Sequence, residues 1–426
     1  MQAEIVAQQA VGVPDSSGTR GRSVALALLI VAYTLNFVDR QILSILKEPI
    51  AADLHLSDTE LGLLGGFAFA LFYSVLAIPA AWLADRSSRV WIITAGLALW
   101  SGFTALCGVA GSYAILFVAR MGVGIGEAGG VAPAYSLIAD MFPQRSQARA
   151  LAIYSFGIPI GSAAGVLFGG LVATAVDWRF AFLAIGGFGV LFAPLLRWLV
   201  RDPPRTIVAT PQLNLSGVAK LAASKSTFWL LALGSGCSSL VAYGLMYWLP
   251  TFLARTLHMD IVSRSELLAA VIFIGGVIGM GGGGWLADRL GTRAKRNYAL
   301  IPAVAFLASA PLYALAIYAS TPLEAFVLLL LPSALALVWL GPVLTAVQHL
   351  SPASSRSTMS ALFLLVNNLI GIGVGPFLFG KLSDMLKPTF GADSIKYAFL
   401  YGLGFYLLAA LLLYLASRRI SRDWVE

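Results

Sequence analysis

The pentapeptide Trp-Leu-Ala-Asp-Arg occurs twice, at Trp82 to Arg86 and at Trp285 to Arg289, about half the chain apart. Each copy closes a long apolar run and opens a short charged loop. A loop repeated at half the chain length points to two copies of one folding unit, and the apolar runs limit what that unit can be. Crossing a hydrocarbon core about 30 Å thick takes about 20 apolar residues in a helix, and lipid leaves no solvent to satisfy an irregular backbone. Hydrophobic residues make up 59% of the chain and charged residues 11%, which excludes an ordinary soluble domain.

Twelve candidate spans follow, near residues 23–46, 59–84, 90–110, 113–141, 149–175, 178–200, 226–254, 265–287, 297–319, 322–349, 356–380 and 395–417. The first is longer than a signal-peptide core, holds Asp39 and Arg40, and has no convincing cleavage site, so it reads as a retained helix. With the amino terminus placed inside, nineteen Lys and Arg fall on cytoplasmic segments. Seven fall on the outer loops: Lys47, Arg179, Arg255, Arg264, Lys381, Lys387 and Lys396. This bias predicts a multi-pass protein with both termini cytoplasmic, in a plasma membrane, or the inner membrane if the source is bacterial. It also explains the net charge of +8 without nucleic acid.

The expected organisation is a cytoplasmic tail over 1–22, a six-helix bundle over 23–200, a cytoplasmic linker over 201–225, a second six-helix bundle over 226–417 and a tail over 418–426. Arg201-Asp-Pro-Pro-Arg205 marks the start of the linker. Six spans on either side with matching loops imply a parallel repeat about an axis along the membrane normal, a frequent build of carriers.

The first loop reads Ala81-Trp-Leu-Ala-Asp85-Arg86-Ser-Ser-Arg89, the second Gly284-Trp-Leu-Ala-Asp288-Arg289-Leu-Gly291-Thr-Arg293. This pattern resembles the loop signature of the major facilitator superfamily; the first copy has Ala81 and Ser88 where the second keeps Gly284 and Gly291. The resemblance implies an all-α polytopic membrane protein of the major facilitator fold, with twelve transmembrane helices in two pseudo-symmetric six-helix bundles. It also implies that Asp85, Arg86, Arg89, Asp288, Arg289 and Arg293 form cytoplasmic contacts that hold one access state and break in the other. Asn36-Phe-Val-Asp39-Arg40, Arg120-Met-Gly-Val-Gly124-Ile-Gly126-Glu127 and the Pro-Pro-Arg end of the sixth span look like the Spinster branch. That branch implies a monomer moving lipid-like cargo, such as lysophospholipids or sphingoid phosphates, with proton coupling.

The same residues stand out without any resemblance. An ionised group at mid-membrane opposes insertion by about 2.5–3.5 kcal/mol, so Asp39, Arg40, Arg120 and Glu127 require compensation. Two acids and two bases sum to zero, and one added proton would change that balance. Tyr33, Asn36, Asp39 and Arg40 share one helical stripe, and Arg120 and Glu127 lie two turns apart on one face. Asp39 is the preferred proton acceptor, Glu127 the second candidate and the expected orienter of Arg120. Arg40 and Arg120, with Asn36 beside them, suit an anionic head group because a guanidinium offers a planar fork of donors. A static buried ion network that fixes helix register would use the same four charges.

In the second half Ser235, Ser239, Tyr243 and Tyr247 recur at steps of four in the seventh span, and Asn367 and Asn368 interrupt the eleventh. Tyr33, Tyr243, Tyr247, Trp248 and Asn367 are therefore expected to line a cavity between the halves. Gly157, Gly161, Gly165 and Gly169 mark close helix packing, and Gly122, Gly124 and Gly126 admit either a neighbouring backbone or a ligand. Superfamily antiporters carry a Gly-Pro signature in the fifth span, where this chain has Ile158-Pro159.

Gly124-Ile-Gly126-Glu-Ala-Gly129 matches a dinucleotide fingerprint only by letter, because it lies inside an apolar helix. The Asn214 sequon lies in the linker. His55, His258 and His349 sit near span ends without metal-ligand spacing. No nucleotide-binding loop occurs. No cofactor, metal or catalytic residue is expected, and the expected partners are the bilayer, protons and a small-molecule or lipid substrate. Two alternatives stay open: a proton-coupled carrier of small organic anions or drugs, and an uncoupled lipid scramblase or sensor.

Overall fold

The computed structural model describes residues 16–203, 215–291, 293–352 and 355–425; Asn214 and much of the expected linker lie outside them. Among the described residues the regular structure is helical, with no strand. Eleven helical runs are long and apolar enough to cross a membrane. The first ten are Gly21–Ile45, Asp58–Ala84, Arg89–Gly108, Tyr113–Met141, Arg149–Ala175, Trp178–Leu199, Ser226–Arg255, Ile261–Gly291, Asn297–Ile317 and Pro322–Gln348. The last, Thr358–Asp423, holds 66 residues, roughly 100 Å at 1.5 Å per residue, far too long for one crossing. It folds back at residues 391–393, where Gly391 takes a φ of 57°. The eleventh span therefore ends at Phe390 and the twelfth starts at Ser394.

Side-chain caps set where several spans begin. Ser57 with Glu60 opens the second, Ser112 the fourth, Asp177 the sixth, Asp260 the eighth, and Thr321 with Glu324 the tenth. Each cap satisfies amide hydrogens that the first turn leaves free, a contribution of about 1 kcal/mol. All five lie at the end of the molecule opposite the repeated loops, here called the distal end.

Small residues then bring the helices together. The fifth span packs on the first through Gly157, Gly161, Gly165 and Gly169, as their spacing predicts; a Cβ on Gly165 would lie 2.7 Å from the Val38 carbonyl oxygen. In the fourth span Gly124 faces the Phe69 backbone and Gly126 the Trp100 backbone, each at 2.5 Å from where a Cβ would stand. These glycines admit neighbouring helices and not a ligand.

Two extensive contacts between the halves stand out among the described residues: the second span packs on the eleventh and the fifth on the eighth, with the seventh also touching the first. The second and eighth are equivalent under the repeat, as are the fifth and eleventh, so the two contacts are copies of each other. Trp82 and Trp285 are both 56% exposed, at the helix ends where aromatic residues anchor to a membrane interface. The copies differ in backbone: the first stays α-helical to Arg86, whereas Ala287–Gly291 is a π-turn.

Candidate functional site

A cavity of about 210 Å³ lies between the halves. Its charged side is Arg40 from the first span and Arg120 from the fourth, beside Phe37 and Phe69. Opposite stand Ser239, Tyr243 and Tyr247 of the seventh span, and the remaining wall is mostly apolar, with Leu268, Val271, Ile272 and Met280 of the eighth and Leu337 of the tenth, interrupted by Gln41, Ser44, Ser162 and Ser333.

Each wall arginine is backed by a fully buried acid. Arg120 Nη1 lies 3.5 Å from Asp39 Oδ1, and Arg40 places Nη2 at 2.8 Å and Nε at 2.9 Å from Glu127 Oε2. Glu127 therefore orients Arg40, not Arg120 as the sequence suggests. The cause is geometric: Asp39 and Arg40 are adjacent and point about 100° apart around the first helix, while Arg120 and Glu127 are about 10 Å apart along the fourth. Asp39 meets the nearer partner and the long Arg40 side chain reaches the farther one.

The hydroxyl of Thr104, in the third span, stands between Asp39 Oδ2 and the Trp100 carbonyl oxygen, 2.9 Å from the latter, and shares its one hydrogen between the two acceptors. Sequence reading passed over this residue; a lone threonine within an apolar run was its only signal. Aromatic faces complete the setting, with the Arg40 guanidinium 4.7 Å from the Phe69 ring centre and 4.6 Å from that of Tyr73. Among the described residues Arg120 Nε and Nη1 and Glu127 Oε1 have no hydrogen-bond partner. Both Arg120 nitrogens are buried, and Nη1 is the one that faces Asp39.

Several expected wall residues lie elsewhere. Tyr33 and Asn36 border a smaller cleft with Trp100 and Tyr154, because Tyr33 stacks on Tyr154 at 4.4 Å. Trp248 is buried behind the wall, its indole donating to the Pro376 carbonyl at 2.8 Å. Asn367 is also behind it, accepting from Ser239 at 2.9 Å. Arg40, Arg120, Tyr243 and Tyr247 are on the wall.

In the repeated loops Arg89 is buried and paired within its own half, at 2.6 Å to Asp140 and 2.8 Å to Ser136. Arg86 lies over Trp82 and Arg289 over Trp285, and Arg293 is exposed. The side chain of Asp85 lies outside the described set. Asp288 opens the π-turn of the second copy.

Polar contacts between the halves gather at the distal end. Arg255 grips Asp58 through two bonds of 2.7 and 2.8 Å and reaches Glu48 at 3.1 Å. Ser383 donates to Asp58 at 2.7 Å, and Asp384 accepts from the Thr59 amide at 2.7 Å. The Tyr247 hydroxyl donates to the Leu61 carbonyl at 2.7 Å. Lys47 and Arg264, counted from sequence among outer-loop cations, are buried here. These links hold the two halves together at the distal end.

The profile of the Major Facilitator Superfamily matches residues 29–376. The chain belongs to this superfamily. An "MFS-type efflux pump" of Mycolicibacterium smegmatis is 35% identical over 97% of this chain and 96% of its own length. The human "Protein spinster homolog 1" is 30% identical over 88% of this chain and 77% of its own. Among solved structures, a bacterial homologue of the human lysosomal transporter Spinster, inward-facing and unoccupied, superposes with a TM-score of 0.86 at 29% identity, covering 95% of this chain and 99% of that one. A structure of a bacterial Spinster homologue described as inward-facing and occupied gives 0.82 at 29% identity, covering 95% of this chain and 98% of that one. This major facilitator transporter is thus Spinster-like, and the buried quartet of Asp39, Arg40, Arg120 and Glu127 lies within the matched region.

Proposed function

We propose that this Spinster-like transporter is a proton-coupled carrier of an amphipathic anionic substrate, of lysophospholipid or sphingoid-phosphate type, working by alternating access. The observation that carries this reading is Arg120, which stands on the cavity wall with unused donors while its carboxylate partner lies behind it at 3.5 Å. An anion arriving at Arg40 and Arg120 adds one negative charge to a quartet that sums to zero, and a proton on Asp39 restores the balance. Anion and proton are thereby linked through one site. The apolar wall at Leu268, Val271, Met280 and Leu337 suits the start of an acyl chain. The human relative's name and the solved neighbour's title place them in the Spinster group, which favours lipid-like cargo.

With the repeated loops cytoplasmic, by their Lys and Arg excess, the sealed distal end faces outward. The state described is then inward-facing, in accord with the inward-facing title of the solved homologue.

A second reading, a small organic anion or drug as cargo, is favoured by the mycobacterial relative named as an efflux pump. Reconstitution in liposomes under an imposed pH gradient separates the readings. Labelled lysolipid should accumulate with wild type, only equilibrate with Asp39→Asn, and fail to move with Arg120→Ala. Folded wild-type protein that moves no lysolipid at any gradient, yet moves a small aromatic anion, would establish the second reading in its place.

A further inference from the structure

Lys47 follows the first span directly, at the start of the short helix Lys47–Leu54, and is fully buried. Its side-chain nitrogen makes no ion pair among the described residues. It donates instead to the Tyr247 main-chain carbonyl across the gap between the halves and lies 4.0 Å from the ring centres of both Tyr247 and Trp248. Tyr247 is also the residue that lines the cavity and hydrogen-bonds Leu61 of the second span. Lys47 therefore sits on the outer side of the very side chain that closes the substrate cavity.

The charges around it explain why no carboxylate compensates. Glu48 on its own helix and Asp58 at the start of the second span both face it, but Arg255 of the seventh span already binds both of them. Arg264 of the eighth span adds a further buried cation, with Nε unpartnered. Burial pulls the Lys47 ammonium well below the ordinary lysine range; Glu48 and Asp58 oppose that shift, and Arg255 and Arg264 reinforce it.

We propose that Lys47 is a second proton-coupling group, which carries a proton when the distal face is open and surrenders it when Tyr247 closes over it. Opening would separate the halves, remove Tyr247 and Trp248 from its surface, and return the amine to water, where it is an ordinary lysine. A group that binds its proton less tightly in the closed state makes opening favourable as pH falls. The open-to-closed ratio should rise about tenfold per pH unit below the ordinary lysine value near 10.4, and level off below the depressed value of the closed state. The proposal rests on alternating access but not on the identity of the cargo, nor on the titration of Asp39.

The test is a distance measurement across the distal face. Spin labels at Ala52→Cys and Ala392→Cys, both exposed and on opposite halves, are introduced into protein with Cys107→Ala and Cys237→Ala and studied in nanodiscs between pH 5 and 9. Wild type should shift from the short to the long distance as pH falls. Lys47→Met should hold the short distance throughout, and Lys47→Arg, which cannot release its proton, the long one. A wild-type profile retained by either variant overturns the proposal, as does a wild-type distance that ignores pH. Should Lys47→Met fail to fold, the Lys47→Arg profile decides alone. Failure here leaves the liposome result for Asp39 and lysolipid standing, so the two readings fall separately.

Discussion

Arg40 and Glu127 meet through two nitrogens on one oxygen, with Nη2 at 2.8 Å and Nε at 2.9 Å from Oε2. The other carboxylate oxygen has no hydrogen-bond partner among the described residues. The pair spans the first and fourth helices beside the cavity, so it both fastens the amino-terminal half and sets a cation on the cavity wall. Removing one member of such a buried pair strands the other, at a cost of about 3–5 kcal/mol. Glu127→Ala should lower the unfolding temperature in detergent more than the double variant Arg40→Met/Glu127→Met does. Both should lose gradient-driven transport. Equal destabilisation by the single and double changes would show that the pair is not coupled in this way.

Arg120 receives its charge compensation over a longer distance, 3.5 Å from Asp39, and its loss should register in function before stability. Arg120→Lys keeps the charge but not the planar fork. Affinity for an anionic lysolipid should fall by about tenfold or more, since hydrogen bonds to charged groups contribute about 1.5–3 kcal/mol each. Wild-type affinity in Arg120→Lys, read by substrate-dependent thermal shift, would move the head group away from this residue.

Closure of the distal face depends on bare backbone in the second span. A Cβ on Gly62 would stand 2.5 Å from the Pro376 carbonyl oxygen, and one on Gly66 would stand 2.5 Å from that of Gly373. Main chain cannot yield as a flexible side chain does. Gly62→Val and Gly66→Val should therefore fold, bind cargo from the distal side and fail to cycle, with the distal distance held long at every pH. A short distance in Gly66→Val would show that the eleventh span can withdraw without breaking the seal.

Arg255 carries the strongest ionic link between the halves, to Asp58 and Glu48. Arg255→Ala frees both carboxylates to face Lys47. The distal seal should weaken, and the pH response assigned to Lys47 should move upward, because two unpaired anions stabilise its ammonium. An unchanged midpoint in the distance titration would contradict that electrostatic account.

Tyr243 and Tyr247 form the aromatic side of the cavity. Tyr243→Ala should reduce lysolipid transport severalfold while leaving a small anion, which reaches only the arginines, nearly unaffected. Competition assays with anions of increasing chain length would show the difference as a flattened length dependence.

Much of this was legible in the chain itself. The repeated Trp-Leu-Ala-Asp-Arg loop pointed to the duplication, apolar length to the spans, and four charges in apolar helices to a buried ionic cluster, of which Arg40 and Arg120 line the cavity. The glycines at steps of four in the fifth span were read correctly as a packing seam. Thr104 and Lys47 escaped for opposite reasons. Thr104 is a small polar residue of a kind that lipid-facing helices often tolerate, and only the approach of the third span to the first makes it a partner of Asp39. Lys47 stands just past an apolar run, where a lysine ordinarily reaches water; it is buried because the seventh span of the other half covers it.

Sequence by itself determined what must be hidden from water and how often the pattern repeats, since both are set by hydrophobicity along one helix at a time. The tertiary structure decided which arginine meets which acid, which aromatic residues reach the cavity, and which end is shut. Those outcomes depend on the rotation and offset of helices far apart in the chain, fixed by glycine contacts and ion pairs between spans, and spacing within a single helix carries no record of them.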